Sequence, residues 1–331
     1  MKTYIIRRLL LVIPTFIGVS LISFLIIQMA PGSPIHAKLR SAEGAFQSEE
    51  VSAEVIERVK ALYGLDKPIP VQYLNWLGRV AKLDFGESFT DKRPVTDRIL
   101  EALPITLQFN IASIFLVYLI AIPLGVFSAV KQRSWPDTVI TLGLFILYSL
   151  PSFWVAMLLM MFLGGGQWLN WFPIHGLSTE GADAWGFMPW LGDRLWHMVL
   201  PLFCLTYAGL ASLSRYMRTG MLDTIRQDYI RTARAYGFTE RVVIFRYAMR
   251  NSLIPIITLL GTLLPAMIGG SVIIETIFSI PGMGRLAFQA LLLRDYPLIM
   301  GTFTFSALLT LVGLIISDVL YAVVDPRIKL E

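Results

Sequence analysis

Residues able to do chemistry are few in this chain and lie far apart. None of the eight lysines follows a glycine, so the Gly-Lys step of a phosphate-binding P-loop cannot occur. The histidines, His36, His175 and His197, have no metal-ligand spacing, and the single cysteine, Cys204, cannot form an intrachain disulfide. There is no Gly-x-Ser-x-Gly elbow and no His-Glu-x-x-His. Gly282-Met283-Gly284 runs into Arg285-Leu286-Ala287, which is not a dinucleotide fingerprint. Two carboxylates at the ends of apolar runs remain, Glu275 and Asp318, together with eight arginines between Arg215 and Arg250. An embedded enzyme would need a clustered nucleophile, base or metal ligand, and none is present in the sequence.

The elements that must position these residues are built for a bilayer. The 331 residues are 55% hydrophobic and 15% charged, with mean hydropathy +0.64. Soluble domains carry about 25% charge. The balance excludes a disordered chain, a disulfide scaffold and a basic nucleic-acid module, although the formal charge is +5. Six windows of 18 or more residues lack Asp, Glu, Lys and Arg: 9–37, 102–130, 138–179, 195–214, 251–274 and 296–317. Each can hold a spanning helix of about 20 residues. The longest could hold two, but Gly164-Gly165-Gly166-Gln167, Asn170, Pro173 and Gly176 mark its second half as an external loop, with Trp168 and Trp171 at the interface.

Six spans place both termini on one side, and the basic residues orient them. With the N-terminus inside, the inner segments hold fifteen Lys and Arg and the two short outer loops three, which fits N-in, C-in. The run Leu9 to Met29 is longer than a signal-peptide core and lacks a cleavage site after Ala30-Pro31-Gly32, so it reads as a retained span.

Two extramembrane stretches are long enough to have structure. The outer loop, 30–103, is nearly neutral, with ten basic and eleven acidic residues. Ser48 before Glu49 and Glu50 predicts a helix over Val51, Val55, Val59 and Leu62, closed by Gly64. A second helix is expected from Val71 to Val80, with Tyr73, Trp76 and Leu77 on one stripe. The loop reads either as a docking surface for an external partner or as a cap packed on the outer helix ends, and the two are compatible. The inner loop, 218–250, predicts a helix from Asp228, a break at Gly237-Phe238-Thr239 and another helix to Arg250. Ile225, Tyr229, Thr232/Ala233 and Tyr236 follow helical spacing. A lipid-headgroup anchor would explain the arginines; the small residues Thr232, Ala233, Ala235 and Gly237 favour a short helix that seats in a partner's groove.

Within the spans, charge is nearly absent, which argues against a proton- or sodium-driven carrier. Glu275 closes the fifth window and reads either as an interfacial cap or as a pathway or outer-gate residue. Asp318 is expected to pair with Arg327 or a neighbouring loop. Pro14, Pro123, Pro151 and Pro265 permit kinks but name no substrate.

The run Asp228-Tyr229-Ile230-Arg231-Thr232-Ala233-Arg234-Ala235-Tyr236-Gly237, followed by Ala248-Met249-Arg250-Asn251-Ser252-Leu253-Ile254-Pro255, resembles the coupling loop of bacterial ABC-importer permeases of the dipeptide/oligopeptide/nickel group. Arg7-Arg8-Leu9 through Ala30-Pro31-Gly32-Ser33-Pro34 looks like the start of the group's B-type subunit. Gly64-Leu65-Asp66-Lys67-Pro68, Asp84-Phe85-Gly86, Glu275 through Gly284 and Asp325-Pro326-Arg327 are similar to it as well, so the resemblance covers the whole chain.

That resemblance implies an all-α integral membrane protein with the type I importer permease fold. Its parts would be a first helix (1–29), an external periplasmic loop domain (30–101), a five-helix transmembrane domain (102–324) containing the coupling loop 218–250, and a cytoplasmic tail (325–331). It implies a multi-pass protein of the bacterial plasma (inner) membrane, in contact with its lipid and with no nucleic acid. It further implies a second, related permease, two ATPase subunits that hold ATP and magnesium, and an extracytoplasmic binding protein. The chain itself would be non-catalytic and hold no cofactor. Aligned on Gly237, the family's E-A-A-x-x-x-G motif falls on Arg231, Thr232, Ala233 and Gly237, which become the expected ATPase-coupling residues. The motif's later proline, expected at Arg250, stands instead at Pro255. Peptides are the expected cargo, with nickel complexes or oligosaccharides as alternatives on the same machinery; a self-sufficient carrier or channel is the alternative from another class.

Overall fold

The computed structural model describes residues 2–29, 67–164, 168–263, 267 and 269–324. The helix expected over Val51 to Leu62, the Gly64 cap, Pro265 and the tail from Asp325 lie outside them.

Helix α1 (Lys2–Met29) is apolar on every side, and among its described side chains only Ser20 and Phe24 are buried. A helix hydrophobic all round must meet lipid or protein on all faces. Helix α2 (Ile69–Val80) realises the expected outer helix two residues early, because Pro70 suits the first turn. Its stripe packs inward. Tyr73 meets Phe24 edge-on at 5.5 Å and stacks on Trp76 at 5.9 Å. The Tyr73 hydroxyl donates to the Ile17 carbonyl at 3.2 Å and shares a hydrogen bond with Ser20 at 2.9 Å. On the described residues, the outer segment is therefore packed against α1.

Helix α3 (Val95–Val130), 36 residues, forms the centre with the 39-residue α6 (Phe187–Ile225). Helix α4 (Trp135–Ser149) and helix α5 (Ser152–Leu159), extended by a π turn at Met160–Gly164, fill the window expected as one span. They meet at 96°. Pro151 is the cause: the residue before a proline is driven out of the helical region, and Leu150 is extended at φ −84, ψ 128. The carbonyl that Leu150 can no longer share along a helix accepts the Tyr207 hydroxyl at 2.6 Å. The run ends at Gly164, where the loop was expected, and Trp168 and Trp171 beyond it are exposed.

Helix α6 (Phe187–Ile225) extends well past the charge-free window 195–214 at both ends. Gly125 of α3 lies so close to it that a Cβ there would stand within 3 Å of Met217 and of the Ser214 carbonyl. Small residues at such crossings let backbones approach where no hydrophobic force drives helices together. Helix α7 (Asp228–Ala235) is the expected inner-loop helix. After Gly237 come a turn of helix at Glu240–Val242, a π segment at Val243–Ala248 and helix α8 (Met249–Leu263). The window 251–274 is thus not one helix. Gly270, at φ +63, precedes the separate short helix α9 (Val272–Ile277). Helix α10 (Met283–Leu293) and helix α11 (Tyr296–Val324) follow.

Among the described residues, α1, α3, α6 and α11 are long and apolar enough to cross a membrane, and the bent pair α4–α5 makes a possible fifth passage. Asp318 on α11 pairs with Arg8 of α1, Nε to Oδ2 at 3.1 Å; the expected partner Arg327 lies outside the described residues. Replacing Tyr207 with Phe strands the Leu150 carbonyl at the bend. A loss of about 1 kcal/mol is expected, read as a lower thermal-unfolding midpoint of the purified chain in detergent at unchanged expression.

Candidate functional site

Helix α7 forms because Asp228 opens its first turn and Arg234 closes its last, both favourable against the helix dipole. Gly237 terminates it at φ +80. Its N–H donates to the Arg234 carbonyl at 2.9 Å, and the Phe238 N–H reaches back to the Ala233 carbonyl at 3.4 Å. This is the paired closure of a Schellman motif, which places a left-handed residue just beyond the helix. Phe238 then packs on Tyr247, ring centroids 5.7 Å apart.

Of the residues expected to couple, Arg231 and Thr232 are exposed, and Gly237 has open space where a Cβ would go. Ala233 is turned the other way. It is 5% exposed and joins the fully buried Ile230 in a cluster with Val243, Ala248, Met217 and Met221. Its small side chain therefore allows close approach to the protein's own core. The buried face is Ile230 and Ala233; of the expected stripe of Ile225, Tyr229, Thr232/Ala233 and Tyr236, Ala233 lies on it, while Tyr229, Thr232 and Tyr236 are exposed. Tyr229 is exposed, and its hydroxyl accepts Asn251 Nδ2 at 2.7 Å. Tyr236, 79% exposed, and Phe238 complete the outward surface.

Behind α7 the attachment is polar and close. Ser252 at the start of α8 donates its hydroxyl toward the Gly220 carbonyl at 3.1 Å, Thr224 Oγ1 at 3.0 Å and the Ala248 carbonyl of the preceding π segment at 2.9 Å. Arg234 spans the break to Glu240 with its Nε at 2.8 Å. That pair is exposed, so its contribution is small.

At the opposite end, Glu275 is buried, 6% exposed. Thr106 of α3 donates to one carboxylate oxygen at 3.0 Å, and the Arg285 N–H donates to the other at 2.8 Å. Thr106 Oγ1 also accepts the Met283 N–H at 2.8 Å. A Cβ on Gly270, Gly282 or Gly284 would come within about 3 Å of this carboxylate, so three glycines form its cradle. The Glu-Thr-Ile-Phe-Ser-Ile-Pro-Gly-Met-Gly run thus closes on its own acid.

Two further buried carboxylates had no signal in the sequence. Asp295, 1% exposed, accepts Ser88 Oγ at 2.5 Å, the Thr90 N–H at 3.2 Å and the Leu298 N–H at 3.3 Å, clipping the outer segment to α11. Asp137, in the first turn of α4, takes Arg218 of α6 through Nε at 3.1 Å and Nη2 at 2.8 Å, with the Arg133 N–H at 3.0 Å and Ser128 Oγ. In sequence it reads only as an acid at a helix start, and its partner lies 81 residues away.

The described residues form a helical membrane body that carries a short, exposed helix on the loop after α6. The chain belongs to the binding-protein-dependent transport system inner membrane component family, whose model matches residues 121–330, and the family's N-terminal model matches residues 1–110. It is a multi-pass protein of the inner membrane. It is 43% identical over 330 residues to an oligopeptide transport system permease protein of Bacillus subtilis, covering 99% of this chain and all of that one. A peptidoglycan transport system permease protein of Agrobacterium fabrum is 34% identical, with 100% of this chain and 99% of that one covered. An inner membrane ABC transporter permease protein of Escherichia coli O157:H7 is 33% identical over the full length of both chains.

Two outcomes follow from this geometry. Thr106→Val keeps the shape but removes both hydrogen bonds of the hydroxyl, and a loss of about 1–3 kcal/mol is expected for the stranded buried groups, measured as a lower unfolding midpoint in detergent. Gly237→Val forces a side chain into a left-handed conformation at a cost of about 1–2 kcal/mol. Faster amide exchange confined to 232–238, with the rest of the chain unchanged, is the expected reading.

Proposed function

We propose that this chain is the permease subunit of an ATP-driven ABC importer of peptides, crossing the membrane six times with both termini in the cytoplasm. The observation that carries the reading is helix α7. It presents Arg231, Thr232 and Tyr236 outward, while Ile230 and Ala233 anchor it to α6 and α8. A short helix so mounted can transmit a push from a partner into the spans without absorbing it in its own bending.

In this reading two ATPase subunits receive α7 and its counterpart on a second, related permease. They bind ATP and magnesium, and this chain adds no catalytic group. A binding protein delivers cargo from outside, and closure of the ATPases switches the paired permeases between inward- and outward-facing states. Gly237 ends the lever at a fixed angle through its positive φ. Peptide cargo rests on the relatives, named for oligopeptide and peptidoglycan transport.

The test is affinity purification of the tagged chain from its native membrane, with ATPase activity assayed on the eluate. Two P-loop ATPases and a second permease should co-purify, with hydrolysis stimulated by binding protein and peptide. Recovery of the chain alone, transporting at full activity without nucleotide, overturns the reading in favour of a self-sufficient carrier. Gly237→Asp should leave the complex assembled and hydrolysing ATP while peptide uptake falls at least tenfold; unimpaired uptake by that variant removes α7 from the mechanism.

A further inference from the structure

A cavity of about 600 Å³ lies between α3, α4 and α6. Its walls combine hydroxyls (Thr141, Ser212, Thr219) with aromatic rings (Phe145, Tyr148), and two arginines of α6, Arg215 and Arg218, line it. The volume is in the usual range for a small-molecule site, about 300–1,000 Å³.

The charge in this cleft is uneven. Arg218, one turn along α6, is taken up by the buried Asp137 through two hydrogen bonds. No carboxylate among the described residues lies within ion-pair distance of Arg215, whose guanidinium carbon instead sits 5.6 Å from the centre of the Phe145 ring. Arg215 also closes the charge-free window 195–214, so it stands where α6 emerges from its apolar stretch. A cation at such a position without a partner marks a ligand or pathway site by default. Its planar fork matches a carboxylate, which it can bind through two parallel hydrogen bonds.

We propose that this cleft is a station on the translocation path and that Arg215 receives the C-terminal carboxylate of the passing peptide. The inference rests on the peptide-permease reading above. Phe145 and Tyr148 give the rest of the peptide a wall that favours apolar and aromatic side chains without selecting one sequence. The hydroxyls accept or donate to its backbone. An anionic lipid headgroup shares the charge but fits less well. Arg226, Arg231, Arg234, Arg241, Arg246 and Arg250 are exposed beyond the end of α6 and available to headgroups; Arg215 is exposed too, but its guanidinium lies over a ring of the cleft wall.

The test uses the assembled transporter in liposomes with its binding protein. Uptake of a tetrapeptide with a free C-terminus is compared with that of its C-terminal amide. Taking the ratio of variant to wild type for each peptide removes the binding protein's own preference. Arg215→Gln should lower uptake of the free acid about tenfold, the worth of one charge-assisted hydrogen bond, and leave the amide unchanged. Arg215→Lys, which keeps the charge and loses the fork, should reduce the acid preference without abolishing it. It carries the test alone if the Gln variant does not assemble. An equal loss for both peptides, or no loss for the acid, overturns the proposal. So does an Arg215→Gln defect that appears only in liposomes containing phosphatidylglycerol and not in pure phosphatidylcholine, since that is the signature of a headgroup site. Wild-type transporter that takes up neither peptide overturns the permease reading itself, an outcome separate from any effect at Arg215.

Discussion

Hydrocarbon supplies no hydrogen-bond partners, so wherever a spanning chain turns it must satisfy its freed backbone groups from within. Three corners of this protein meet that demand in the same way, with a buried carboxylate that gathers a hydroxyl from one segment and a backbone N–H from another. Glu275 takes Thr106 and the Arg285 N–H; Asp295 takes Ser88 with the Thr90 and Leu298 N–H groups; Asp137 takes Ser128 and the Arg133 N–H. Only Asp137 adds a cation, Arg218, among the described residues. Burying a charge is tolerable where donors replace water around it. In each case the acid joins stretches far apart in the chain, so loss of one would loosen a junction between elements rather than a single turn.

These corners divide the molecule into regions with different tasks. At one end, α2 and α10 pack with α1 and the starts of α3 and α11 around Phe24, Trp76, Phe85, Val95 and Met283. At the other, α7 is fastened to α6 and α8 by Ile230, Ala233 and the Ser252 hydrogen bonds. Helix α6 runs between them for 39 residues, crossing α3 closely at Gly125. The packed side chains join α7 to α6, the same helix that carries Arg215 and Arg218 into the cleft facing α4.

The bend at Leu150–Pro151 shows how local rule and tertiary need divide the work. Proline dictates that the helix stops, but it leaves the direction of the next helix open. Tyr207, on a different helix, holds the Leu150 carbonyl and fixes the corner at 96°. The Schellman closure at Gly237 is the opposite case, since its residues are consecutive and its hydrogen bonds are local.

That contrast separates what the sequence determined from what only the tertiary structure decided. Apolar runs long enough to span, the excess of arginine on one loop, the helix from Asp228 and its stop at Gly237, and the stripe of Tyr73 and Trp76 were all legible, because each depends on neighbours within a turn or two. The family was legible for the same reason, through short consecutive motifs. The sequence left open what depends on facing elements. Ala233 has the size for a partner's groove but turns to its own core because α6 and the Val243–Ala248 segment offer a surface there. Glu275 ends an apolar run as a gate residue might, yet Thr106 and three glycines enclose it. Asp318 finds Arg8 across more than three hundred residues, and Asp137 finds Arg218 across 81. A buried charge is settled by whichever donor the packing brings within 3 Å, and no spacing along the chain encodes that distance.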